Sequence, residues 1–140
     1  MKIEREQAEG RNLFTGYGEG YVEVNGKRYA SSLVVSGDRL VADWPLASFD
    51  EITADHLAAI LELKPEILLL GTGRAFAFPD RARLRPLYEA RLGVEVMDTP
   101  AACRTYNILL GEGRHVVAAL VVEAQAQLDP GPSSQPRRPG

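Results

Sequence analysis

Two uninterrupted apolar runs constrain this chain more than any other feature. Ile67-Leu68-Leu69-Leu70 follows Glu66, and Val116 to Val122 follows His115. A half-solvated strand alternates apolar and polar residues, whereas a strand covered on both faces reads as a continuous apolar run. Both runs are therefore read as strands inside a covered sheet. The second, although the longest apolar run, falls far short of the roughly 20 residues that span a bilayer.

The residues around these runs supply the rest of a βαβαβ succession. Thr53 can cap a helix from about Ala54 to Leu63, with Ile52 and Leu57 spaced as a hydrophobic staple and Pro65 as its stop. Leu57, Ile60 and Leu61 form its buried stripe. His56 lies in its first turn and is read as a surface residue. A second helix is expected between about Asp80 and Leu92, with Leu84, Leu87 and Tyr88 inward and Gly93 as terminator. Pro86 fits that helix poorly, so either its first turn is distorted or regular helix begins nearer Pro86. Val94 to Met97 is the next strand. Asp98 or Thr99 then caps a helix from about Pro100 to Leu110, proline being suited to a first turn where no donor is needed. Ala102, Cys103, Tyr106, Leu109 and Leu110 share its apolar side. Such a succession favours parallel neighbours joined by right-handed crossovers.

The first third of the chain is β-rich. Tyr21-Val22-Glu23-Val24 alternates, and Asn25-Gly26 is the strongest short hairpin signal. Arg28 to Val35 is the expected return strand, weakened at Ser31-Ser32, and Leu40-Val41-Ala42 is a further short strand. Trp44 is read as a packing anchor. Gly16, Gly18 and Gly20 lack the spacing and strand–helix context of a dinucleotide loop, so a bulged β connection is expected. Residues 1–11 are polar and expected to fray. Residues 124–140, rich in proline, serine and arginine, have little to bury and are expected to be disordered. A single α/β domain over residues 12–123 is the resulting division.

Composition excludes some functions. A net charge of −3 over 140 residues, with no long run of one sign, gives no electrostatic footprint for nucleic acid. Cys103 is the only cysteine, which rules out an intramolecular disulfide and fits a reducing compartment. The segment Met1 to Glu6 lacks the apolar core of a signal peptide. A soluble, cytoplasmic protein without a transmembrane segment is expected, its oligomeric state left open.

Chemistry can be sought at two strand ends. Ligands of open α/β sheets sit beyond the carboxyl ends of the strands. Here those ends carry Gly71, Thr72, Gly73 and Arg74, and Asp98 and Thr99 before the last helix. Glycines admit close backbone approach and a helix N-terminus favours anions. Arg74 and Arg104 could add charge-assisted bonds. A small anionic-ligand site on this rim, with Asn107 alongside, is one reading; tight turns and helix caps explain the same residues without a ligand. Arg104, Asn107, Glu112 and Arg114, with Thr105 beside them, form a second polar group that could bind a ligand or hold the helix end to the sheet, and the structural role is the preferred reading. Cys103 falls on an apolar stripe with no histidine close in sequence and is read as a small buried hydrophobe. His56 and His115 form no metal-ligand pattern, and no Ser–His–Asp elbow or catalytic carboxylate pair stands out. No metal or cofactor is expected.

The run Pro65 to Gly73, then Gly93 to Thr99, Ala102, Arg104-Thr105-Tyr106-Asn107, Glu112-Gly113-Arg114 and Ala118-Ala119-Leu120 resembles a widespread family of small α/β proteins of unknown function. That family includes the third assembly factor of mitochondrial respiratory complex I. The likeness covers roughly Phe14 to Val122. It implies a three-layer α/β/α fold with a central, mostly parallel sheet and a hammerhead-like N-terminal part rich in β-hairpins. It implies no established enzymatic activity, no known cofactor and no agreed catalytic residues. Recurrent positions of the family fall on Gly71, Thr72, Gly73, Asp98, Thr99, Thr105, Asn107, Glu112 and Arg114. The expectation is a non-catalytic accessory or binding protein that assists assembly of a protein complex through a protein partner. The alternative is an anionic-ligand binder, or an enzyme, using the rim of Gly71–Arg74 and Asp98–Arg104.

Overall fold

A computed structural model describes residues 11–123. The expected frayed segment before Arg11 and the proline-rich tail after Glu123 lie outside the described residues. The first sheet is antiparallel and contains β1 (Phe14–Gly18), β2 (Tyr21–Val24) and β3 (Lys27–Tyr29) in that order. Asn25 and Gly26 both take positive φ, 50° and 85°, which is the backbone a two-residue hairpin turn requires. The expected irregularity near Gly16 is a register shift between Phe14 and Gly16.

The return strand divides where the two serines stand. Residues 27–29 stay in the first sheet, and β4 (Leu33–Ser36) enters the second. Ser32 is the joint. Its buried hydroxyl donates to the Leu46 carbonyl at 2.7 Å and accepts from the Val122 amide at 3.0 Å. The Ser32 carbonyl accepts from the Trp44 amide. With its hydroxyl and its carbonyl committed to three positions outside the first sheet, Ser32 does not continue the β2–β3 ladder, and the chain changes sheets there.

The second sheet has the order β5-β4-β8-β6-β7, with β5 (Leu40–Val41), β6 (Ile67–Gly71), β7 (Gly93–Met97) and β8 (Val116–Leu120). The three C-terminal strands are parallel through β6, as the βαβαβ pattern predicts. β4 joins β8 antiparallel, and β5 joins β4 antiparallel. The sheet is therefore mixed, because the β-rich start supplies two of its five strands. β8 sits in the middle with every residue at 0% exposure, the outcome its unbroken apolar run demands.

The pleat of this sheet builds two cores. One face presents Leu33, Val35, Leu69, Val116, Ala118 and Leu120 to the apolar stripe of α3 (Thr99–Gly111) and to Phe14, Val22 and Val24 of the first sheet. The other presents Val34, Leu68, Leu70, Val117 and Ala119 to α1 (Ala54–Leu61), α2 (Arg85–Glu89) and the segment around Trp44 and Phe49. Trp44 is thus the buried anchor it was expected to be.

α2 is shorter than the expected Asp80–Leu92. Pro86 occupies its first turn, and residues before Arg85 form hydrogen-bonded turns, with Asp80 accepting from the Ala82 amide. Proline cannot donate to the preceding turn, so regular helix starts at its doorstep. α1 carries a capping box in which Thr53 accepts from the His56 amide and the His56 ring accepts from the Thr53 amide. His56 also packs edge-on against Trp44, its centroid 5.6 Å away, so it is half-buried rather than a plain surface residue. Among the described residues no helix is long and apolar enough to cross a membrane.

Candidate functional site

The two strand ends do meet. β6 and β7 are neighbours, and the turn after β6 lies against the start of α3. What joins them is the buried hydroxyl of Thr99. It accepts from the Gly73 amide at 2.9 Å and donates to the Val121 carbonyl at 2.8 Å. The Thr99 amide donates to the Gly73 carbonyl, the Val121 amide to Gly71, and the Thr72 amide to Met97. One threonine therefore closes the carboxyl ends of three strands and the helix start into a single junction. Gly71 is required by proximity: a Cβ there would lie 2.7 Å from Leu120 Cδ2 and 2.9 Å from Thr99 Oγ1. Gly73 takes φ +115°, which an L side chain rarely adopts.

This junction leaves α3 few donors for an anion. The Thr99 amide is bonded to Gly73, Pro100 has none, and the Ala101 amide donates to the Asp98 carboxylate at 2.8 Å. The Ala102 amide donates to the Asp98 carbonyl. Asp98 is the cap, and Thr99 is the first helical residue. The charge around the rim is also balanced. Arg74 pairs with Glu19 at 2.9 Å, and its amide donates to Glu123. The cleft between this rim and the β1–β2 hairpin, bordered by Tyr17, Tyr21, Arg74, Pro100 and Glu123, holds about 20 Å³, room for about one water.

The expected polar group of α3 separates into three contacts. Asn107 brackets Phe14, accepting from its amide at 2.9 Å and donating to its carbonyl at 2.7 Å, and so fastens β1 to α3. Arg104 donates to the Tyr17 hydroxyl at 2.7 Å, and this bond raises the guanidinium's proton affinity. Arg114 forms a two-nitrogen pair with Glu66 at 2.8 and 2.6 Å. That bond holds the Glu66 carboxyl below the usual carboxylate range. Glu112 caps the helix end through its backbone amide. Thr105 is half-buried on the same helix. The partners Tyr17, Glu66 and Glu123 escape sequence reasoning because they lie 48 to 87 residues from the groups they meet. Cys103 is buried, and burial pushes its thiol up to about 12. It packs as a hydrophobe and stays a thiol at neutral pH.

Thr72 points instead to a feature without any periodic signal. Its hydroxyl donates to the Ala75 carbonyl at 3.0 Å and accepts from the Ala77 amide at 3.1 Å. It thereby shapes the turn that displays Phe76 and Phe78. Phe78 is 85% exposed and Phe76 46%, with the rings edge-to-face at 4.6 Å. Two phenylalanines separated by one residue in a loop ahead of Pro79 were the available sequence clue. Among the described residues no three His, Cys, Asp or Glu side chains are grouped as metal ligands.

Known proteins share this arrangement. A family model described as "Protein of unknown function (DUF498/DUF598)" matches residues 14–121. NADH dehydrogenase [ubiquinone] 1 alpha subcomplex assembly factor 3 of Xenopus tropicalis is 30% identical over 131 residues, covering 92% of this chain and 70% of that protein. The 13 kDa major membrane protein of Francisella tularensis subsp. holarctica is 28% identical over 122 residues, covering 86% of this chain and 99% of that protein. The crystal structure of a Bordetella parapertussis protein is similar with a TM-score of 0.75 and 44% identity, covering 81% of this chain and 98% of that one. Because the family match runs from the first residue of β1 to the residue after β8, taking in both sheets and all three helices, the chain belongs to the DUF498/DUF598 family of α/β proteins.

Proposed function

We propose that this chain is a non-catalytic accessory protein that holds a protein partner during assembly of a larger complex. The observation that carries the reading is the Phe76–Phe78 turn, an apolar aromatic pair exposed beside a rim whose polar groups at Gly73, Asp98 and Thr99 are engaged internally. Aromatic side chains dominate the central contacts of protein interfaces, and leaving two of them in water has a cost that a partner would remove. Similarity to a relative named as an assembly factor supports the same reading. The two cores support a three-layer arrangement, with α3 on one face of the sheet and α1 and α2 on the other. A lone buried thiol fits a cytoplasmic setting.

An anion on the rim of Gly71–Arg74 and Asp98–Arg104 is the weaker reading. The donors it would need are already bonded, and Glu19 and Glu123 stand beside Arg74. Tagged protein purified from its native cell tests the proposal. A partner recovered reproducibly with the wild type, and lost with Phe78→Ser at unchanged thermal stability, is the expected result. Repeated recovery of the wild-type protein alone, or a partner retained by the variant, refutes it.

A further inference from the structure

One recess on the second core lies far from the rim in sequence and serves none of the contacts described above. It opens between the β4–β5 edge and the C-terminal end of α1 and holds about 250 Å³. Drug-sized ligands occupy about 300–1,000 Å³, so the volume suits a smaller metabolite. Val34, Val41, Ile60 and Leu63 give it an apolar wall, and Trp44 forms part of its lining. Arg39 stands on the β-side and Glu62 on the helix side.

Three features make this more than a packing defect. Trp44 is only 6% exposed, yet its indole N–H donates to no described residue. Buried indole donors ordinarily find an acceptor. Arg39 and Glu62 border the same recess, but their side chains form no ion pair with each other or with any other described residue. Finally, Glu62 follows the last residue of α1, where the carbonyl pole of the helix adds partial negative charge. The recess thus has a cationic side, an anionic side and an apolar body.

We infer that this recess binds a small zwitterion with an apolar body, an apolar α-amino acid. Its carboxylate meets Arg39, with the Trp44 indole as a further donor. Its ammonium faces Glu62 and the end of α1, and its side chain occupies the apolar wall. The Phe76–Phe78 turn contributes nothing to this site, so the two readings stand or fall separately.

Trp44 is the only tryptophan of the chain, and because it also borders a second recess beside Ser31 and Ala47, the Arg39, Glu62 and Ala59 variants assign its fluorescence response to this one. L-Leucine is the probe, because it does not absorb with tryptophan. Saturable change in Trp44 emission is expected. Glycine, 4-methylpentanoate and isoamylamine each lack one of the three features and should bind at least about tenfold more weakly, the size of one unburied apolar side chain for glycine and of one lost charge-assisted contact for the other two. Arg39→Ala and Glu62→Gln should each weaken leucine by about the same factor. Ala59→Leu, at an exposed lining position of α1, should abolish the response while leaving the circular dichroism spectrum intact. No saturable response to leucine up to its solubility limit overturns the inference. So does an equal response to glycine or 4-methylpentanoate, or unchanged binding in all three variants.

Discussion

Replacing Thr99 by valine removes one oxygen from the strand-end junction and almost nothing else. The side chain is 6% exposed, and its hydroxyl serves two buried backbone groups, the Gly73 amide at 2.9 Å and the Val121 carbonyl at 2.8 Å. Valine keeps the branched shape but puts a methyl group where the oxygen stood. Each buried polar group left unsatisfied costs about 1–3 kcal/mol, so two of them, partly relaxed, cost about 2–4 kcal/mol. For a domain of this size about 4 °C of midpoint accompanies each kcal/mol, and a fall of about 8–16 °C follows. Thr99→Ser is the matched control. It keeps the hydroxyl and loses one methyl group, a change of about 1 kcal/mol. Urea titration by circular dichroism gives both values, and amide exchange at Gly73 shows whether the loss is local. A Thr99→Val protein within about 0.5 kcal/mol of wild type would refute the junction argument, since that is the scatter of an indifferent surface change. Equal losses in the serine and valine variants would refute it as well, because packing rather than hydrogen bonding would then be responsible.

Asn107→Ala removes both bonds to Phe14 and should cost about 1–3 kcal/mol. The readout is exchange at the amides of β1 and β2, which should quicken far more than those of β6 and β8; uniform quickening would contradict the fastening role. Cys103 should resist thiol reagents at neutral pH in the native state and react fully once the protein is unfolded in urea, and rapid native labelling would contradict its burial. Its folded pKa of about 12 lies above the ordinary thiol value of 9.0. The stabilisation is therefore complete below about pH 9, where both states hold the proton, and is lost as pH rises towards about 12, where only the folded chain still holds it. Urea midpoints should fall more steeply above pH 9 for the wild type than for Cys103→Ala.

Much of the secondary structure was legible because it follows from local rules. Continuous apolar runs mark β6 and β8, Asn25-Gly26 marks the β2–β3 turn, and Asp98 with Pro100 marks the start of α3. These signals need only neighbours in the chain. The misreading of Ser31-Ser32 originates in distant partners. Ser31-Ser32 looked like a weak point within one strand, and Ser32 is in fact the joint between two sheets, held by Leu46 and Val122. The helix expected from Asp80 shrank to Arg85–Glu89, the shorter of the two options that Pro86 allowed.

The rim residues show the same division. Gly71, Thr72, Gly73, Asp98 and Thr99 stood out in the sequence as a possible ligand rim. Their spacing also fits a second use, and the folded chain employs them to seal three strand ends around one hydroxyl. By itself the sequence determined the parallel βαβαβ unit, its caps and its buried strands, because apolar periodicity and capping are read within a turn or a strand. Only the tertiary structure decided that the sheet is mixed, that Thr99 and Asn107 spend their polar groups on backbone, and that Phe76 and Phe78 stay in water. The physical reason is that a hydrogen bond or a buried contact is completed by whichever group the fold brings near. For Asn107 and Phe14 that group lies 93 residues away.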